Sequence, residues 1–132
     1  MSSFVLLYII DLFEIDAENV TLENMNFING TSRQTLIYIW DDSINCLIDN
    51  CNFINNNPDS NYEDIFVNSQ NFAIMNSNFI NTTGIAVRLT YKVKNVTIEN
   101  CSFINNTYSI RSDGNENIFI SKSSFINNSA IE

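Results

Sequence analysis

"VTIENCSFINN", residues 96–106, has two close copies earlier in the chain: "CLIDNCNFINN" at 46–56 and "VTLENMNFING" at 20–30. Aligned without gaps, five such segments begin at Asn19, Asn45, Asn71, Asn95 and Asn117. Each carries a Phe eight residues on, at Phe27, Phe53, Phe79, Phe103 and Phe125, and each continues as "FIN". The Phe-to-Phe spacings are 26, 26, 24 and 22 residues. A period in this range marks a solenoid, whose units bury their apolar faces only by stacking on one another.

The units read as strands. Val96, Thr97, Ile98 and Glu99 alternate apolar and polar with period two, and the phase slips by one at Asn100 before Cys101, Ser102 and Phe103. A slip at Asn predicts a corner between two short strands, because Asn tolerates bends and left-handed backbone. A polar loop follows, then another apolar run: "LIYIW" (36–40), "IFV" (65–67), "IAVRL" (85–89) and "YSI" (108–110). Insertions are expected between "FIN" and this third strand. The pattern predicts an all-β fold, a right-handed parallel β-helix of about 5–6 coils of 22–26 residues with three short strands per coil. The six-residue rhythm of left-handed helices is absent, as is the frame of leucine-rich repeats.

Stacking at about 4.8 Å per coil would make structural columns of equivalent residues. Phe27, Phe53, Phe79, Phe103 and Phe125 form the predicted inner aromatic column. Met25, Cys51, Ser77, Cys101 and Ser123 form a second, and Val20, Cys46, Phe72, Val96 and Ile118 a third. Asn24, Asn50, Asn76 and Asn100 form a predicted corner ladder with amides bonded up the axis, which Lys122 interrupts. Cys51 and Cys101 would lie two rungs apart, roughly 9–10 Å, too far for a disulfide. The three cysteines therefore read as small buried hydrophobes.

The 132 residues suit a single domain spanning 1–132, and 45% hydrophobic content is enough for a core. Asn is very abundant, at 24 residues, a bias that nucleotide composition could produce as well as selection. A formal charge of −9 without a basic cluster argues against nucleic-acid or anionic-membrane partners. The absence of His removes the commonest general base and a common metal ligand, and no cofactor or metal is expected. "FVLLYII" (4–10) is too short to span a bilayer and reads as a buried strand. Ser2-Ser3-Phe4 matches Ser123-Ser124-Phe125, so partial coils are expected at 1–18 and 117–132. With no visible cap, the open edges call for further solenoid repeats or copies of the same chain, end to end.

"IENCSFINN" and "SSFINNSA" (123–130) resemble the repeats of polymorphic outer membrane proteins and of large protist surface proteins. That repeat reads approximately Phe-x-x-Asn-x-Ala followed by Gly-Gly-Ala-Ile. Phe125, Asn128 and Ala130 match its first half, while "GIAV" at 84–87 is the nearest approach to its second. The likeness runs through most of the chain by its Asn-x-x-Phe frame. It implies extracellular or cell-surface display, with a structural or adhesive role; the same fold also carries pectate-lyase-like enzymes.

Glycoside hydrolysis needs two carboxylates about 5–10 Å apart. Glu23, Asp49 and Glu99 are predicted to stack outward with Met75 between them, more as a solvated stripe than round a cleft. Asp41, Asp42 or Asp49 could hold a weak Ca²⁺. Seven Asn-x-Ser/Thr sequons occur: Asn19, Asn29, Asn81, Asn95, Asn100, Asn105 and Asn127. Four of them, Asn29, Asn81, Asn105 and Asn127, recur after "FI" and are the first candidates for N-linked glycans, with Asn19 and Asn95 behind them. A second Asn ladder at a turn explains the same recurrence. Asn100 is expected to be bare, its amide used at a tight corner. Ile28, Ile54, Ile80, Ile104 and Ile126 form either an outward stripe for lateral self-association or a row capping the core at a bend. These features predict a non-catalytic structural or adhesive solenoid of a filament or surface assembly; the alternative is a polysaccharide-binding or -cleaving β-helix.

Overall fold

The computed structural model describes residues 2–5, 12–32, 35–58 and 62–130. Its strands, in chain order, are β1 (Ser2–Val5), β2 (Phe13–Ile15), β3 (Thr21–Glu23), β4 (Met25–Ile28), β5 (Thr31–Ser32), β6 (Ile37–Ile39), β7 (Leu47–Asp49), β8 (Asn52–Ile54) and β9 (Asn57–Pro58). They continue as β10 (Glu63–Val67), β11 (Gln70–Met75), β12 (Asn78–Ile80), β13 (Ile85–Leu89), β14 (Lys94–Glu99), β15 (Ser102–Ile104), β16 (Tyr108–Ser112), β17 (Glu116–Ser121) and β18 (Ser124–Ile126). All pairings are parallel, and each joins a strand to its equivalent one coil away.

Three long sheets result. The aromatic sheet runs β1-β4-β8-β12-β15-β18, a second β2-β6-β10-β13-β16 and a third β3-β7-β11-β14-β17; β5 and β9 pair separately at one corner. The chain visits the second, third and aromatic sheets in turn, so every coil contributes one strand to each. This is a three-sided parallel solenoid.

Asn makes the corners. Fifteen non-glycine residues have positive φ, between 49° and 60°; fourteen are Asn and one is Lys122. They fall at five-residue steps, as at Asn19, Asn24 and Asn29 or Asn95, Asn100 and Asn105. Left-handed backbone costs most L-residues about 1–2 kcal/mol, and Asn is the usual exception after Gly. With only 3 Gly in the chain, Asn takes that role. Its abundance thus has a backbone cause as well as whatever nucleotide bias contributes. The hydrogen-bond ladder does not stop at these corners: Asn24 N–H donates to the Asp49 carbonyl, Asn50 to Met75, Asn76 to Glu99 and Asn100 to Ser121.

The Phe column is a continuous stack. Ring centroids from Phe27 to Phe53, Phe79, Phe103 and Phe125 are 4.7, 4.7, 4.8 and 4.9 Å apart, with planes within 5° of parallel. The spacing equals that of the strands that carry the rings. Cys51, Ser77 and Cys101 are buried in one column and Cys46, Phe72 and Val96 in another, and all three cysteines are free thiols whose pKa burial raises.

Of "FVLLYII", only residues 4 and 5 lie in a described strand; residues 6–10 are outside the described residues. The first described strand of the second sheet is β2, whose apolar alternation is too short to stand out in sequence. Length varies at two corners, not one: residues 40–44 separate β6 from Asn45, but only 68–70 separate β10 from Asn71. The constant part is the run of two strands between its three Asn corners.

Candidate functional site

The acidic column lies where the sequence placed it. Glu23, Asp49, Met75 and Glu99 are in register across β3, β7, β11 and β14. Its carboxylates serve neighbouring coils. Asp49 Oδ1 accepts from Asn76 Nδ2 at 2.7 Å, and Glu99 Oε1 accepts from Lys122 Nζ at 2.6 Å. Asp41 sits in the turn after Trp40 and pairs with Lys92 at 3.3 Å. Among the described residues no group of three His, Cys, Asp or Glu is placed to hold a metal ion.

The Asn side chains depart from the expected ladder. Asn50 Nδ2 donates to Asn24 Oδ1 and Asn100 Nδ2 to Asn76 Oδ1, at 2.6 and 2.8 Å, but Asn76 turns to Asp49 instead of Asn50. Asn24, Asn50, Asn76 and Asn100 are all exposed, and the Asn100 amide is used at its corner by the coil before it. The αL backbone turns the side chain outward, and the buried group at the corner is the N–H. The unbroken ladder is a different one: Asn19, Asn45, Asn71, Asn95 and Asn117 are linked by four bonds of 3.0–3.2 Å. Two sequon residues, Asn19 and Asn95, belong to it. In the loop-side column Asn81 Nδ2 donates to Asn55 Oδ1 at 2.8 Å, while Asn105 and Asn127 are exposed and their amides have no partner among the described residues.

A further set of Asn residues is not singled out by the repeat alignment. Asn56, Asn106 and Asn128 point inward at the next position. Each accepts the N–H of its equivalent one coil earlier (Gly30, Thr82, Asn106) and donates Nδ2 to the carbonyl of the earlier Phe (Phe27, Phe79, Phe103) at 2.9–3.1 Å. The second Asn of "FINN" is the signal in the sequence. It is also the Asn that matches the surface-protein repeat.

Ile28, Ile54, Ile80 and Ile104 face outward and are half-buried by one another, while Ile126 is exposed. The row is a narrow apolar stripe beside the Asn26, Asn52 and Asn78 amides, which are bonded at 2.7 Å.

The second sheet carries the densest set of interacting side chains. Its outward column reads Glu14, Tyr38, Phe66, Arg88, Arg111, one residue per coil. Tyr38 stacks on Phe66 at 4.6 Å, Trp40 leans on Tyr38 at 4.5 Å, and the Arg88 guanidinium lies over Phe66 at 5.8 Å. Arg88 also bridges Glu63 and Asp113, each at 3.2 Å. Glu63 is buried and takes a second bond from Thr35 Oγ1; burial raises its pKa, against the pull of Thr35 and Arg88. Asp64 beside it is fully buried. One of its oxygens accepts from Thr82 Oγ1 at 2.6 Å and the other has no partner among the described residues. Burial pushes its carboxyl up to about 7.

A family model described as a right-handed beta helix region matches residues 12–131. The chain belongs to that family. No curated protein matches it. Membership gives the hand of the coils. It leaves the chemistry open, because a fold of this kind hosts enzymes and non-enzymes alike, and function has to be argued from the side chains.

Proposed function

We propose that this right-handed β-helix is a non-catalytic structural or adhesive module of an extracellular or cell-surface assembly. Copies of the chain associate end to end through their open coil faces. The observation that carries this reading is the last described coil. Ile120 occupies the inward column that Ile98 fills one coil earlier; Ile98 is 0% exposed and Ile120 is 44% exposed. Ile118 and Phe125 likewise stand behind the fully buried Val96 and Phe103. A rung of apolar side chains and strand-edge backbone groups is a surface that another rung covers well.

The Asn ladder adds a direction. Each amide donates to the coil before it, so Asn117 spends Nδ2 on Asn95 and presents Oδ1 to whatever follows. A following coil with Asn in that place would be joined head to tail. Surface display is supported by the recurrent sequons and by the likeness to surface-protein repeats. The non-catalytic reading is supported by the acids' existing partners: Asp49 is bonded to Asn76 and Glu99 to Lys122 along the axis.

Sedimentation velocity of the 132-residue chain over the micromolar range tests the end-to-end part. Reversible growth in mass is expected, and Ile120→Lys should shift it to higher concentration without changing the far-ultraviolet circular dichroism. A monomer at all concentrations, unchanged in the variant, would overturn it.

A further inference from the structure

We infer that the Trp40 end of the second sheet is a docking surface for a cationic segment of a partner protein, one rich in Arg or Lys. This does not depend on end-to-end assembly. Three observations carry it. The first is the uncovered aromatic surface: Trp40 is 39% exposed, and its ring leans on Tyr38, which stacks on Phe66. The second is the chemistry that this column already accepts. At its far side Phe66 holds the Arg88 guanidinium at 5.8 Å, an arrangement in which the ring face attracts the cation.

The third is charge. Glu14 lies next to Tyr38 in the same outward column, and Asp16 is level with Trp40, whose N–H donates to the Ile15 carbonyl at 3.0 Å. Asp41 and Asp42 follow Trp40 directly in its turn. All four acids are exposed. Lys92, from a turn two coils on, reaches Asp41 at 3.3 Å, so the patch already draws one ammonium. The chain as a whole, these acids included, has a net charge of −9, which reinforces the attraction. Anionic ligands are repelled here. A neutral saccharide would stack on the rings and donate hydroxyls to a carboxylate, but the summed charge of four acids attracts only a cation, so a guanidinium or ammonium gains from the rings and from the field together.

The chain contains 1 Trp, so Trp40 fluorescence reports on this patch alone. The probes are hexa-arginine, hexa-glutamate and a neutral hexasaccharide, titrated against the full chain and followed by fluorescence and calorimetry. Saturable binding of hexa-arginine is expected, weakening with salt. Asp41→Asn with Asp42→Asn should weaken it about tenfold, and Trp40→Ala about tenfold by calorimetry. Lys92→Ala, which frees Asp41, should tighten it by about two- to fivefold.

Glu23→Gln with Asp49→Asn removes the same number of charges from the acidic column, on the third sheet, where the next residues in register are Met75 and Glu99. That variant should bind within about twofold of the parent. If it loses as much as the Asp41/Asp42 variant, the binding is general polyanion behaviour and the inference fails. It fails equally if the hexasaccharide binds while hexa-arginine does not, or if no probe moves the Trp40 signal.

Discussion

Asp64→Asn should remove most of a pH dependence that runs opposite to ordinary acid denaturation. Asp64 is 0% exposed, and one carboxyl oxygen is unpartnered among the described residues. Its only described hydrogen bond comes from Thr82 Oγ1; the buried Glu63 is its neighbour, and the Arg88 guanidinium is spent on Glu63 and Asp113. The folded pKa is about 7 against an ordinary 3.8, raised first by burial and further by Glu63. A carboxyl raised in the folded state is bound to its proton there while the unfolded chain has lost it. Stability is therefore full below about pH 4 and falls by about 1.4 kcal/mol per unit as pH rises toward 7.

The whole span amounts to about 4 kcal/mol, a large part of the stability of a domain this size. Glu63, also raised by burial, acts in the same direction. Asn at position 64 keeps the shape and an oxygen for the Thr82 hydroxyl, but buries an amide N–H₂ where the free oxygen was, costing about 1–3 kcal/mol. The variant should thus be weaker than the parent near pH 4 and stronger near pH 8. Urea unfolding followed by circular dichroism at several pH values checks this. Parallel stability curves for parent and variant would refute the reasoning.

Phe79→Ala should cost about 3–5 kcal/mol in urea unfolding, because Phe79 is fully buried and stacked on both faces, by Phe53 and Phe103. Lys122→Asn should raise the unfolding midpoint, gaining about 1 kcal/mol by replacing the one unsuited residue at a left-handed corner. The same substitution removes the Lys122–Glu99 ion pair, which is exposed and worth little. If the chain passes through a secretory pathway, glycopeptide mass spectrometry should find Asn105 and Asn127 occupied before Asn81, Asn95 and Asn100, whose Nδ2 groups are already donated to neighbouring Asn. Sugar confined to those three would reverse that order.

Much of this molecule is legible one-dimensionally because a solenoid repeats its contacts. Once the Phe positions and the slip at Asn100 are aligned, parallel stacking puts Phe on Phe, Glu23 level with Asp49, and Cys51 two coils from Cys101 without further information. Local backbone chemistry sufficed for the corners, since Asn is the side chain that tolerates them. What the alignment could not supply was the direction in which side chains turn at those corners. Whether Asn76 reaches Asn50 or Asp49, and whether Asn106 faces in or out, depends on which carbonyls and carboxylates the adjacent coil offers within about 3 Å.

The second sheet shows the same limit more strongly. Tyr38, Phe66 and Arg88 are 28 and 22 residues apart and sit outside the "NFIN" frame. The corner loops before them differ in length, so no common spacing aligns them. Only the closed coil brings Trp40 beside Tyr38, lays Arg88 over Phe66 and buries Asp64. These are contacts between turns of unequal length, settled by how each loop closes in three dimensions and not by the period of the repeat.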